Sequence, residues 1–382
     1  MPDTPTARHT DMSLPRRAAF PTEVPGAGPS YVTCPSTESV LLDDGTLLLI
    51  PVRGREQLQV DSPWGRMVHD VVVRGVPVEQ CVTPLDRPTF DETIRYLAVR
   101  RVLLPADQVA AVDVERFDRQ VRWFAQEGVD GPAAQRRLAM STVLMLGVGG
   151  FGAPFAELLA RAGVGSIALT DFDRVEEQNL PRQLLYTDRD IGVRKVFAAA
   201  MHLEQIAPDS NFTAIDQEIT CAEDVAKLVR RVQPDLVVCA ADRPPLAIKE
   251  WVDAGAFALG VPVLHGGSRP PFAYAGPLLV PGVTSCYACF YASRIAPGSE
   301  ELEAEVGIRR NEEPPALPAV GWADVTAASM CAGQAIGLLA GIHQSSMLGR
   351  EFELDIRTME SEWMEPGCHV ECPRCSDRSA AA

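Results

Sequence analysis

The sequence predicts an α/β protein with a doubly wound, mostly parallel sheet, preceded by a small α+β domain. Three observations predict it. Residues 143–171 read in succession as strand, glycine cluster, helix and strand. From residue 141 to about 280, short apolar runs alternate with helical patterns, as in a parallel sheet covered by helices on both faces. Residues 31–105 instead place three short strands ahead of two helices.

Taken in order, residues 1–30 carry six prolines among Thr, Arg and Gly and no hydrophobic period, the pattern of a disordered tail. In 31–105, Ser39-Val40-Leu41-Leu42 and Thr46-Leu47-Leu48-Leu49-Ile50 flank Asp43-Asp44-Gly45, a hairpin signal. Residues 57–60 add a third strand. Ser62-Pro63 reads as the cap and first position of a helix through Val71. A second helix spans 90–99, with Phe90, Ile94 and Leu97 on one face. Residues 101–104 close the domain, and the second domain is expected over 106–376. The end, 377–382, reads as a disordered tail.

Val143-Leu144-Met145-Leu146 has the length and apolarity of a buried strand. Gly147, Gly149, Gly150 and Gly152 follow, then a helix rich in Ala and Leu, then a strand ending at Asp171. Glycines let the backbone turn tightly and approach a phosphate, and the helix start offers unpaired N–H groups and a positive dipole end. A carboxylate at the end of the second strand suits ribose hydroxyls. Helices at 196–206, 224–232 and 246–259 and strands at 213–215, 236–240 and 261–264 continue the pattern. Asp242 then falls just past a strand end, on the ligand side of such a sheet.

The glycines alone fit an NAD enzyme as well as an ATP enzyme. Asn179-Leu180-Pro181-Arg182-Gln183, Lys195 and Asp242 narrow the choice. With them the stretch resembles the ThiF/MoeB/ubiquitin-activating superfamily, whose members adenylate a carboxylate with ATP on a Rossmann-like sheet. Arg116-Phe117-Asp118-Arg119-Gln120 is similar to that superfamily's RYxRQ motif, with Phe117 in place of Tyr. The resemblance implies that Gly147, Gly149, Gly150 and Gly152 hold phosphate and adenosine, that Asp171 holds the ribose, and that Asp173, Asn179 and Gln183 add polar contacts. It implies that Arg182 and Lys195 neutralise the triphosphate, joined by Arg119 from the second subunit of a homodimer, and that Asp242 carries Mg²⁺. Such chemistry needs cations, a metal-binding carboxylate and backbone donors, and no protein nucleophile. Residues 31–105 resemble the winged-helix, PqqD-like domain that binds peptide leaders, and the whole layout is similar to the MccB-like peptide adenylating enzymes.

Cys286-Tyr287-Ala288-Cys289 and Cys372-Pro373-Arg374-Cys375 are two CxxC knuckles that together offer four thiolates to a structural Zn²⁺. Cys368 and His369 are nearby substitutes. Cys331 reads as core, and Cys221 and Cys239 as buried small hydrophobes. Residues 290–326 contain no cysteine, although superfamily members with a thioester step carry one there, so transthiolation is disfavoured. Residues 296–318 read as a loop crossing the active site.

Net charge is −16, from 51 acidic and 35 basic residues, which argues against a nucleic-acid surface. No apolar run reaches bilayer length and no export signal is visible, so a cytoplasmic protein with no membrane partner is expected. The favoured substrate is a carboxylate on a ribosomally made precursor peptide. The alternatives are the Gly-Gly tail of a ubiquitin-like sulfur carrier, a non-catalytic leader-binding partner, and an NAD-linked oxidoreductase, the last opposed by the Arg-Gln motif and the knuckles.

Overall fold

The computed structural model describes residues 31–33, 37–51, 58–74, 76–99, 103–105, 115–293, 318–342, 345–364, 372, 374 and 375. The expected tails at 1–30 and 377–382, the crossing loop as far as residue 317, Cys368 and His369 lie outside the described residues. The chain divides into two compact units, Met1–Pro132 and Ala133–Ala382.

The first unit holds β1 (Tyr31–Thr33), β2 (Thr37–Leu41), β3 (Leu47–Pro51) and β4 (Leu58–Val60). β2, β3 and β4 form an antiparallel sheet. Its first hairpin turns at Gly45, whose φ of 94° suits glycine, and Asp44 braces the turn by accepting the Thr46 N–H at 2.8 Å. α1 (Trp64–Val68) runs on into a π-helical turn, His69–Val73. Ser62 does not cap it: Pro63 is the capping residue and no side chain bonds there. Ser62 instead packs on Gly45, where its Oγ lies 2.8 Å from the position of an added Cβ. α2 (Val78–Cys81) and α3 (Arg87–Val99) follow, and β5 (Leu103–Pro105) pairs antiparallel with β1.

Alternation along the strands and the 3.6-residue period of α3 aim Leu47, Leu49, Leu58 and Val60 at Phe90, Ile94 and Leu97, forming one core with Val68 and Val72. Truncating Phe90 there would cost about 3–5 kcal/mol. α4 (Asp118–Gln126) also belongs to this unit and carries Arg119 on its exposed side.

The second unit opens within α5 (Gly131–Met140), which leads into β6 (Thr142–Leu146), α6 (Gly152–Ala162) and β7 (Ser166–Asp171). Next come α7 (Lys195–Ile206), β8 (Asn211–Asp216), α8 (Ala222–Val232), β9 (Leu236–Cys239) and α9 (Ala247–Phe257). β10 (Val263–Arg269), β11 (Phe272–Leu279), α10 (Tyr287–Ser293), α11 (Gly321–Leu339), β12 (Glu351–Asp355) and β13 (Glu360–Met364) complete it.

One eight-stranded sheet runs β13-β12-β11-β10-β9-β6-β7-β8. From β8 to β10 all neighbours are parallel, while β10 to β13 are antiparallel. β6 and β9 are buried on both faces, which is why each reads as an unbroken apolar run. β8, at the edge, alternates more openly. Chain order reverses between β6 and β9, so a crevice opens at the C-terminal ends of β6, β7 and β9. The sequence ends β10 too early. Gly266 lets the strand continue past Phe151 and Cys331, both of which an added Cβ would meet within 2.8 Å, and a register shift after Leu264 marks the place.

Candidate active site

Gly147 follows β6 directly. Its φ of 99° is left-handed, and an added Cβ would sit 2.8 Å from the Ala240 carbonyl carbon. Both facts require glycine. Gly152 is required because a Cβ would strike the Gly147 carbonyl oxygen. Gly149 differs: a Cβ there would meet only Gln183 Nε2, at 3.7 Å, so packing does not demand glycine. Gly150 lies against Asp324 and Arg182, whose Cγ and Nη1 would be 2.7 and 3.2 Å from its Cβ. The first helical turn closes with Ala153 N–H on Gly149 O at 3.0 Å. The N–H groups of residues 149–152 precede that bond and form the unpaired start of α6, an anion cradle.

Asp171 ends β7, and both of its oxygens are engaged. Oδ2 accepts the Val148 N–H and Oδ1 accepts the Asp173 N–H, each at 2.9 Å. The strand end thus pins the glycine loop from one side. Asp173 pairs with Lys195 Nζ at 2.8 Å, and the Lys195 side chain is only 7% exposed. Lys195 N–H also donates to Asp173 O at 2.9 Å, so α7 starts from a fixed point. Tyr186 adds a third tie, donating its buried hydroxyl to Val148 O at 2.7 Å. Burial, helped by the nearby Asp171, Asp190 and Asp173 charges, raises its phenol well above the ordinary range and keeps it a donor.

The segment 179–183 contributes differently from residue to residue. Asn179 Oδ1 accepts the Glu176 N–H at 3.0 Å and closes the short 3₁₀ turn Glu177–Asn179. Gln183 is 1% exposed, and its Oε1 is buried without a partner among the described residues. Arg182 is half-buried beside Gly150 and acts electrostatically on Asp324 without forming a close ion pair with it. Asp242 is exposed, just beyond β9. Gly147, Gly149, Gly150, Gly152, Asp171, Asp173, Gln183, Arg182 and Lys195 therefore gather around the β6 and β7 ends. Arg119 lies in the first unit.

Three residues of this site were missed in the sequence: Tyr186, Ser268 and Asp324. Asp324 carried a usable signal, a lone carboxylate in a helix whose other buried residues are Ala, Gly and Cys.

The two CxxC knuckles, 86 residues apart, meet. The Sγ atoms of Cys286, Cys289, Cys372 and Cys375 all lie within 4.8 Å of one another, with Cys286 to Cys372 at 3.7 Å and Cys289 to Cys375 at 3.5 Å. Tetrahedral Zn–S bonds of about 2.3 Å place sulfurs about 3.8 Å apart, so the donor set fits zinc. Asp253 Oδ2 accepts the Tyr287 N–H at 3.1 Å and fixes the start of α10 beside Cys286. Burial pushes the Cys239 thiol up to about 11 and the Cys331 thiol up to about 12, which marks both as inert core. Cys221 corrects its expectation: it is exposed, because it caps α8 instead of packing beneath it.

The model of the ThiF family matches residues 117–376. The sulfur carrier protein adenylyltransferase of Thermus thermophilus is 30% identical, over 69% of this chain and 92% of that protein. The molybdopterin-synthase adenylyltransferase of Escherichia coli is 30% identical, over 67% of this chain and 95% of that protein. Among solved structures, Escherichia coli MccB with ATP superposes with a TM-score of 0.72 at 21% identity, over 90% of this chain and 99% of that one. MccB with AMPCPP and selenomethionine MccA gives the same score and coverage.

Proposed function

The chain belongs to the ThiF family and is an adenylyltransferase of the ThiF/MoeB type; on this premise we propose that it uses ATP to adenylate a carboxylate on a ribosomally made peptide, releasing pyrophosphate. One observation carries the choice of substrate. The Thermus protein is nearly all matched by 69% of this chain, whereas the MccB fold extends over 90% of it. The first unit, with its own sheet and core, is the part a carrier-activating enzyme does not need, and it suits a peptide leader.

In this reading the N–H groups of residues 149–152 and the dipole of α6 hold the phosphates. Asp171 accepts from the ribose while keeping its two backbone bonds. Arg182 and Lys195 neutralise the triphosphate, and Arg119 of a second copy joins them. Gln183 and Asn179 complete the polar lining. The substrate carboxylate then attacks the α-phosphorus in line, the bond to the β-phosphate breaks, and the acyl adenylate is left for an amine or amide nucleophile. Asp242 would hold Mg²⁺, which would supply charge neutralisation on the leaving pyrophosphate. Zinc at Cys286, Cys289, Cys372 and Cys375 fastens the C-terminal knuckle to the sheet. Among the described residues no helix is long and apolar enough to cross a membrane.

The names of the matched relatives favour a second reading, adenylation of a ubiquitin-like sulfur carrier. Fluorescence anisotropy with short peptides encoded beside the gene separates the two. The full chain should bind such a peptide, and removal of residues 1–110 should abolish that binding. Unchanged affinity in the shortened chain overturns the peptide reading.

A further inference from the structure

Asp324 lies in the first turn of α11 and is 6% exposed. Its Oδ1 accepts the Ser268 hydroxyl at 2.6 Å. Its Oδ2 is buried and has no partner among the described residues. That oxygen rests against Gly150, where any added Cβ would strike it, and Arg182 Nη1 lies 3.2 Å from that same added Cβ position.

A carboxylate is out of place here. The N–H groups of residues 149–152 and the positive end of α6 attract an anion, and two anions this close in a low-dielectric pocket repel strongly. A buried acceptor with no donor also costs about 1–3 kcal/mol. One proton on Oδ2 removes both difficulties. The carboxyl becomes a donor, and a phosphoryl oxygen seated on the cradle becomes its acceptor.

We propose that Asp324 is a further nucleotide-binding residue, acting as the neutral acid and donating its Oδ2–H to a phosphoryl oxygen of ATP. This rests on the ATP site assigned above. The groups facing Asp324 set its protonation. Burial raises its carboxyl; the Ser268 bond from β10 and Arg182 from the 179–183 segment lower it; Asp242 beyond β9 raises it; the net direction is upward. A bound phosphate adds negative charge beside Gly150 and raises it further. The complex then holds its proton to higher pH than the free protein does. Affinity is constant below the free-protein pKa and falls as pH climbs toward the pKa of the complex, at most about tenfold per pH unit for one proton.

The test is calorimetric titration of the full chain with AMPCPP and Mg²⁺ from about pH 5.5 to about pH 8.5, a span that brackets a raised carboxyl, in wild type and Asp324→Asn. Asparagine accepts the Ser268 bond and donates at every pH. Wild-type affinity should fall with pH relative to Asp324→Asn by about tenfold across the span, while the variant keeps wild-type affinity at the acid end. Buffers of differing ionisation enthalpy should show proton uptake in wild type that the variant lacks. Parallel pH curves overturn the proposal. So does a variant that loses affinity at every pH, and a loss confined to Mg²⁺-containing samples would place Asp324 on the cation. If wild type binds no AMPCPP at any pH, the ATP assignment itself fails, a result distinct from parallel curves.

Discussion

On the Asp171 flank of the glycine loop the charged groups and the phenol already have partners: Asp171 holds two backbone N–H groups, Asp173 holds Lys195, and Tyr186 holds Val148, leaving only the neutral Thr170 hydroxyl buried without a partner there among the described residues. On the Asp324 flank, Gln183 Oε1 and Asp324 Oδ2 are buried without partners among the described residues, and Arg182 faces them with no paired carboxylate. The first flank spends its hydrogen bonds on shape, so that the loop is set before a ligand arrives. The second withholds them. Each unmet buried group costs about 1–3 kcal/mol in the free protein, a cost that nucleotide would relieve in the proposed complex by supplying the missing partner. On the proposed reading, the difference places ligand recognition in the charged and amide groups that the fold leaves unsatisfied beside the glycine loop.

The four-cysteine knuckle is the extreme case of a completed flank once metal is bound, and it should give the largest effect. Stripping zinc from a sample at about a thousandfold excess over Kd should remove about 4 kcal/mol, a fall of about 8–16 °C in Tm. A chelator that leaves the melting curve unmoved would break that half of the comparison. Arg182→Ala comes next. Pyrophosphate exchange should drop by about 10²–10³-fold with Tm little changed, because among the described residues the guanidinium makes no close ion pair and acts on Asp324 only at longer range. Lys195→Ala should lower activity and Tm together, since it uncouples Asp173 from a buried stem.

Gly150→Ala sharpens the contrast within the loop. It forces a methyl against Asp324 and should cost about 1–3 kcal/mol in urea unfolding. Most of that should return in the Asp324→Ala background, a coupling that a double-mutant cycle measures. Gly149→Ala, whose Cβ would make only an ordinary van der Waals contact with Gln183 Nε2 at 3.7 Å, should be near neutral for stability and harmful only to nucleotide affinity. Tyr186→Phe should have a small effect, about 1 kcal/mol, with a few-fold weaker AMPCPP binding because Val148 loses its tie.

The completed flank was also the legible one. The glycine cluster, Asp171, Asp173 and Lys195 lie close together in sequence, so spacing alone brought them to one strand end, with Tyr186 the exception; Arg182 and Gln183 of the other flank are legible for the same reason of proximity. The knuckles were legible because CxxC has little other use in such a chain. Asp324 and Ser268 are 56 residues apart, and Asp324 reaches Gly150 only through the packing of α11 on the sheet. No local period encodes that meeting. β11 was missed for a related reason: its partner β10 carries two glycines that interrupt the apolar run used to recognise strands. Asn179, expected to contact the nucleotide, also closes a turn through its side-chain Oδ1, a second use that its spacing does not reveal.

The most direct test of the account is ATP–pyrophosphate exchange by the purified chain, with neighbouring-gene peptides and with a Gly-Gly carrier in parallel. The account predicts exchange that appears only with a peptide and disappears in Asp242→Ala. Exchange only with the carrier, or exchange that survives in Asp242→Ala, would contradict it.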